Sequence, residues 1–274
     1  MKGRASSSED NTHSLSLSVV IPVYNEEKYL RKCLESLMRQ SVKPDEILIV
    51  DNNSTDNTVA IAKEYPVKVI HEKKQGITPA RNKGFNEAHS DIIARTDADT
   101  ILPTNWVKRI KKSFANEQIV GVSGPAAFYD LPTIMKKTRL QTKNASLKLI
   151  IVYNSIVRQI LKHNCLYGPN FAIRKSAWDK IKNSVCMDDT KVHEDIDLAM
   201  HIAALGKIKF LQSLSVKTSA RRWKKPEAYI EYLYRGIKSI QAHKQLSVKQ
   251  RSKQFVKRFV GKAFFFDQIP TEFK

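Results

Sequence analysis

Residues 47–58 read ILIVDNNSTDNT, and this stretch decides the fold. Ile47 to Val50 is an unbroken apolar run, three of its four residues β-branched, that stops on Asp51 and a run of turn formers. Short apolar runs bounded in this way read as strands buried on both faces, as in parallel sheets. The same construction recurs on either side. Upstream, Leu15 to Val23 is a strand that empties through Pro22 into VYNEE; downstream, Ile92 to Ala94 runs into ARTDADT. Helical spacing fills the gaps. Glu26 to Gln40 places Tyr29, Leu30, Cys33, Leu34 and Leu37 on one face. A helix from Thr55 to Tyr65 follows, with Ser54 or Thr55 as its N-cap. Val67 to Ile70 reads as a short strand, Gly76 to Pro79 as a helix entrance, and Trp106 to Phe114 as a further helix. Such alternation predicts an α/β fold: a mostly parallel central sheet with helices on both faces.

Carboxylates mark the strand ends. Asp51 closes one strand, Asp97 and Asp99 close another, and Glu194 and Asp195 stand much later in HEDIDLAMHIAALG. Ligands of open α/β sheets bind outside the carboxyl ends of the strands. Acidic groups gathered there imply a polyanionic ligand held through a divalent cation, because bare carboxylates would repel it. The VYNEE turn and Asp51 make a nucleotide pocket. Tyr24 can stack on or flank a base, and Asp51 can accept a hydrogen bond from a base N–H.

Composition narrows the partners. The 274 residues carry a formal charge of +20 with 42% hydrophobic content, enough for one substantial domain with an appendage. The excess of positive charge favours phosphorylated substrates, an anionic membrane face or nucleic acid. Cys33, Cys165 and Cys186 match no zinc or redox spacing and suit a reducing, cytoplasmic setting. No apolar run reaches the roughly 18–20 residues that span a bilayer. Neither G-x-G-x-x-G nor a Walker loop occurs among the nine glycines, which sets aside dinucleotide oxidoreductases and P-loop enzymes.

Six segments, IPVYNEE, IVDNNSTDNT, GITPARNKGFNEA, TDADT, GPNFAIRKSAW and HEDIDLAMHIAALG, occur in the order seen in family 2 glycosyltransferases of the GT-A fold, which is Rossmann-like. The resemblance covers about residues 15–223 and implies a non-processive, inverting glycosyltransferase. It would move one sugar from a nucleotide-diphosphate sugar, a UDP-sugar by family habit, to a hydroxyl of a lipid-linked or cell-envelope glycan acceptor. By the same resemblance Pro22, Tyr24, Glu26, Asp51, Arg81 and Asp97 belong to the nucleotide site. Asp99 is the direct ligand of Mg²⁺ or Mn²⁺, with Asp97 on the ribose or in the ion's water shell. Arg81 would reach the diphosphate or brace Asp51 and Asp97. Asp195 is the general base, and Glu194 either raises its pKa or binds the acceptor. Gly168, Asn170 and Arg222 line the acceptor side, although Asn170 reads almost as well as a turn residue; Arg221 or Arg222 would contact diphosphate or acceptor. His193 and His201 are left out of the metal set, and Asp197 reads as a helix-start carboxylate.

The departures from the family pattern are local. Asn52 and Asn53 stand where a second Asp and a Gly are usual. Arg222 and Trp223 survive from the Q-x-x-R-W of processive members, but Ser219 replaces its Gln. The domain plan is a polar tail over 1–14, the GT-A domain over 15–225, and a basic helical extension over 226–274. Residues 131–178 and 236–266 contain no Asp or Glu. Phe255, Val256, Phe259, Val260 and Ala263 recur at helical spacing, as in amphipathic helices that lie on anionic membrane surfaces. Peripheral attachment to the inner face of the membrane is therefore expected. An inactive sugar-nucleotide-binding scaffold is the alternative; a nucleic-acid-binding protein is weaker, for no nucleic-acid signature is present.

Overall fold

The computed structural model describes residues 15–130, 151–187 apart from 153, 156 and 160, 193–221, and 238–239. The N-terminal tail, nearly all of the basic extension and much of the first acid-free stretch lie outside the described residues. Ten strands and six of the helices are named here in chain order: β1 Leu17–Val23, α1 Leu30–Met38, β2 Glu46–Asp51, α2 Thr58–Ala62, β3 Lys68–His71, α3 Ile77–Glu87, β4 Ile92–Arg95, β5 Thr100–Ile101, α4 Trp106–Phe114, β6 Ile119–Ser123, β7 Ala126–Phe128, β8 Phe171–Arg174, α5 Lys175–Ile181, α6 Glu194–Ala203, β9 Lys207–Phe210 and β10 Val216–Thr218.

A seven-stranded sheet in the order β3-β2-β1-β4-β8-β6-β9 forms the centre. All pairings are parallel except those of β8, which runs antiparallel to both β4 and β6. Because β8 is reversed, the loop that enters it reaches the same sheet edge as the carboxyl ends of the other strands. Alternation along each strand divides the core in two. Val19, Ile21, Ile49, Ile92 and Ala94 pack with α1 and α4 residues such as Leu34, Trp106 and Ile110. Val20, Leu48, Val50, Ile93 and Phe171 pack with Phe85, Trp178, Leu198 and Ile202 from α3, α5 and α6. Helix α3 lies especially close to the sheet: a Cβ on Gly84 would stand 2.3 Å from Val20 Cγ1. The mostly parallel sheet with helices on both faces is as the sequence predicts.

Three boundaries differ. Strand β1 starts at Leu17 rather than Leu15 and ends at Val23 as expected, with Pro22 inside it paired to Val50. Helix α1 starts at Leu30 rather than Glu26, and α2 spans Thr58–Ala62 with Asn57 rather than Ser54 or Thr55 at its N-cap. The two loops are stitched side chain to backbone: the N–H groups of Asn25, Glu26 and Glu27 donate to Ser54 Oγ, Thr58 Oγ1 and Asp56 Oδ2. With its hydroxyl taken up by the neighbouring loop, Ser54 is not available to cap α2. A small second sheet, β5-β10-β7, was not foreseen; its strands are two or three residues long.

Candidate active site

The site is built on the carboxyl ends of β2, β1 and β4. Asp51 ends β2, buried, with Oδ1 accepting the Ser54 N–H and Oδ2 lying 3.3 Å from His71 Nδ1. The asparagines that depart from the family pattern hold this loop together. Asn52 Nδ2 donates to the carbonyls of Glu72 and Lys74, while its Oδ1 accepts the Gly76 N–H. Asn53 has φ 69, the left-handed region where Asn is the usual substitute for Gly. Pro22 is buried in β1, whereas Tyr24 is 51% exposed beside the β1 end, where a flat ring can meet a base.

At the end of β4 the charge is concentrated. Asp99 Oδ1 accepts from Thr218 Oγ1 at 3.0 Å, and Oδ2 faces Arg221 Nε at 3.0 Å. Thr218 belongs to β10, so the small sheet sets the position of Asp99. Arg221 also pairs with Glu26 Oε1 and stacks over the Tyr29 ring at 4.5 Å. Burial and the Asp97 charge push the Asp99 carboxyl up to about 6, and burial pushes Glu26 up as well. Glu26 Oε2 is buried with no hydrogen-bond partner among the described residues. Glu26 and Asp99 share the Arg221 guanidinium and Asp97 stands nearby on Arg95, so the carboxylates here offer hard oxygen donors of the kind a divalent cation takes. No group of three His, Cys, Asp or Glu among the described residues is arranged to enclose an ion by itself. An ion on Asp97 and Asp99 would thus complete its shell with phosphate and water oxygens.

Arg95, the last residue of β4, points to the face covered by α3 and α6 because it shares the parity of Ile93. It is 3% exposed. Its Nη1 donates to Glu194 Oε1 at 2.7 Å, Glu194 Oε2 at 2.9 Å and Asp195 Oδ1 at 3.0 Å, while Nη2 donates to Asp97 Oδ1 at 3.1 Å. Arg81, from α3 and fully buried, adds a 2.6 Å bond from Nη1 to Glu194 Oε2. Asp195 Oδ2 accepts the Gly168 N–H at 2.8 Å. Gly168 stands in the loop that enters the reversed strand β8, and a Cβ there would come 2.8 Å from the same oxygen. Burial and then the Glu194 charge push Asp195 above the usual carboxylate range, against the pull of Arg95. Burial alone would raise Glu194 too, but Arg95 and Arg81 together hold it below that range.

The structure gathers most of the expected residues on one sheet edge and revises the parts of several. Arg81 braces Glu194 rather than Asp51 or Asp97. Both Glu194 oxygens accept from arginines, Oε1 from Arg95 and Oε2 from Arg95 and Arg81. Asn170 is fully buried: Nδ2 donates to the Pro125 and Leu214 carbonyls and Oδ1 accepts from Trp106 Nε1. It fixes the loop into β8 and has no exposed group for an acceptor. Asp197 Oδ2 accepts the Cys186 N–H. Arg222 lies outside the described residues. Arg95 received no role from sequence reasoning, although it stands inside the quoted ARTDADT motif; an Arg ending an apolar strand was the available signal.

Comparison with known proteins agrees with this arrangement. The profile of the family described as "Glycosyl transferase family 2" matches residues 18–181. The glycosyltransferase GlyG of Streptococcus pneumoniae serotype 4 is 33% identical over 120 residues, which is 42% of this chain and 40% of GlyG. The chain therefore spans less than half the length of that relative. Among solved structures, the mannosyltransferase PcManGT from Pyrobaculum calidifontis, in complex with GDP-Man and Mn²⁺, superposes with a TM-score of 0.64 at 18% identity, covering 84% of this chain and 64% of that one. S. aureus TarS 1-349 in complex with UDP-GlcNAc gives 0.61 at 18% identity, covering 94% and 77%. At such identities the likeness is one of fold, and that fold is GT-A. The profile match over residues 18–181, set on this sheet and its strand-end carboxylates, makes the chain a member of glycosyl transferase family 2.

Proposed function

We propose that the protein is a glycosyltransferase that moves one sugar from a nucleotide-diphosphate donor to an acceptor hydroxyl with inversion, and that Asp195 is its general base. The observation that supports this reading is the chain of contacts from Asp97 through Arg95 to Asp195, which links the two carboxylates across the end of β4. The acceptor hydroxyl gives its proton to Asp195 as its oxygen bonds to the anomeric carbon. The bond from that carbon to the diphosphate oxygen breaks, and its electron pair leaves with the nucleoside diphosphate. A raised pKa suits a base that must accept a proton near neutrality. Asp51 receives the base N–H, and Tyr24 flanks the base. A Mg²⁺ or Mn²⁺ ion held by Asp99 and Asp97 supplies, when bound, neutralisation of the charge on the departing diphosphate.

We take the donor as a UDP-sugar. TarS has been crystallised with UDP-GlcNAc and PcManGT with GDP-Man, so the base is a point for experiment. No helix among the described residues is long and apolar enough to cross a membrane. The acid-free basic stretches support surface attachment near a lipid-linked or envelope glycan acceptor, each Lys or Arg adding about 1 kcal/mol at an anionic surface. Thermal stabilisation by UDP, GDP, dTDP and CMP, with and without Mn²⁺, tests the donor reading in wild type and Asp99→Ala. A shift for one nucleotide that needs Mn²⁺ and is lost in the variant is expected. No shift with any nucleotide would return the nucleic-acid-binding reading to the front, whereas nucleotide binding without turnover would favour the inactive scaffold.

A further inference from the structure

We infer that Arg95 is a positioning residue that aims the Asp195 carboxylate and ties it to the donor-side Asp97; the inference rests on the transfer reading above. A guanidinium is an expensive group to bury, and Arg95 occupies a position whose strand neighbours on that face, Ile93 and Phe171, are core residues. Charge balance for Glu194 does not explain it, since Arg81 already reaches Glu194 Oε2 at 2.6 Å. What Arg95 adds is geometry. Asp195 is held by one donor on each oxygen, Arg95 Nη1 on Oδ1 and the Gly168 N–H on Oδ2, so the plane of the carboxylate is fixed. The other end of the same rigid guanidinium bonds Asp97 at 3.1 Å. One planar group therefore sets the separation between the residue on the donor side and the residue that takes the acceptor proton. The 5.8 Å contact of the guanidinium with the Phe171 ring braces it from below. The fork of Arg lets Nη1 and Nη2 serve Asp195 and Asp97 at once, which the point charge of Lys would not, and it does so although the buried Nε has no partner among the described residues.

Arg95→Lys keeps the charge but cannot span Asp97 and Asp195 together. Binding would be read by calorimetry with UDP and GDP, and turnover as nucleoside diphosphate released from a panel of UDP- and GDP-sugars. For Arg95→Lys we expect kcat to fall about 100-fold, the scale of a catalytic group displaced by an ångström. Nucleotide Kd and donor KM should stay within about threefold of wild type, the signature of an interaction that matters only in the transition state. Should Arg95→Lys fail to fold, Arg95→Met combined with Glu194→Gln removes one positive and one negative charge and leaves the net charge unchanged, and the same split is expected. Retained kcat, or kcat and nucleotide affinity falling together with Tm, would mark Arg95 as structural and overturn the inference. A crystal structure of Arg95→Lys with both Asp195 contacts still in place would do so as well. Wild-type protein that neither binds nucleotide nor releases it from any sugar would overturn the transfer reading itself, and this inference with it.

Discussion

Asp195 carries two opposed demands, a buried setting beside Glu194 and a bond from Arg95, and burial prevails. A carboxylate whose pKa is raised is protonated over more of the acidic range, so a base of this kind gains activity as pH rises. We expect kcat to climb with pH through a limb above the unperturbed value of about 4. In Asp195→Asn, kcat should fall by about 10²–10⁴-fold, the usual contribution of a general base, with UDP binding intact. Wild-type turnover by that variant would remove Asp195 from the mechanism. The acidic residues were legible because carboxylates at strand ends have few structural uses. Arg95 was not, since its partners Glu194 and Asp195 lie 99 and 100 residues along the chain. Asn170 left both its readings open for a similar reason: a polar residue beside a motif looks the same in sequence whether it meets a ligand or, as its contacts run here, two loop carbonyls and the Trp106 indole.

Elements dock here at glycines, and two of them separate stability from catalysis. Gly84 lets α3 approach β1 and β2; in Gly84→Ala the new methyl would meet Val20 Cγ1 at 2.3 Å and Val50 Cγ2 at 2.8 Å. Overpacking of this kind costs about 1–3 kcal/mol, seen as a lower midpoint in urea with little change in activity per folded molecule. Gly168→Ala should do the reverse, because its methyl meets the Asp195 carboxylate; kcat falls while the denaturation midpoint holds. Equal losses in both quantities for Gly168→Ala would contradict that division. Strand positions were legible from apolar runs, and the face of α1 from the spacing of Leu30, Cys33, Leu34 and Leu37, all buried. Helix starts were not, because Ser54, Asp56 and Thr58 spend their side chains on the neighbouring loop, a tertiary choice that local propensity does not encode.

Among the described residues, the carboxylates that burial or their partners shift include two sets with opposite linkage. Asp99, Glu26 and Asp195 are raised by burial, so their contribution is full below the unfolded value of about 4 and is lost as pH rises. For Asp99 the loss runs through about 6. Asp45, Glu46 and Glu194 are lowered, so theirs is present above about 4 and lost on acidification. Together they predict a highest Tm in mildly acidic buffer, and a shallower decline towards neutrality in Asp195→Asn. A Tm that climbs steadily to pH 8 in wild type would show that the first set is not shifted upward. The α/β plan was legible in the β3-β2-β1-β4 half of the sheet, whose strands are apolar runs; β8, β6 and β9 were not read, nor was the β5-β10-β7 sheet, whose strands of two and three residues leave no periodicity. That small sheet has a consequence for the proposed ion site. By carrying Arg221 to Glu26 and Asp99, it makes a guanidinium the competitor of a divalent ion for these carboxylates. Donor affinity will thus be a difference between two sets of contacts. Arg221→Ala should melt earlier than wild type in buffer without divalent ions and gain more from added Mn²⁺, which makes occupancy of the pocket an exchange rather than a filling.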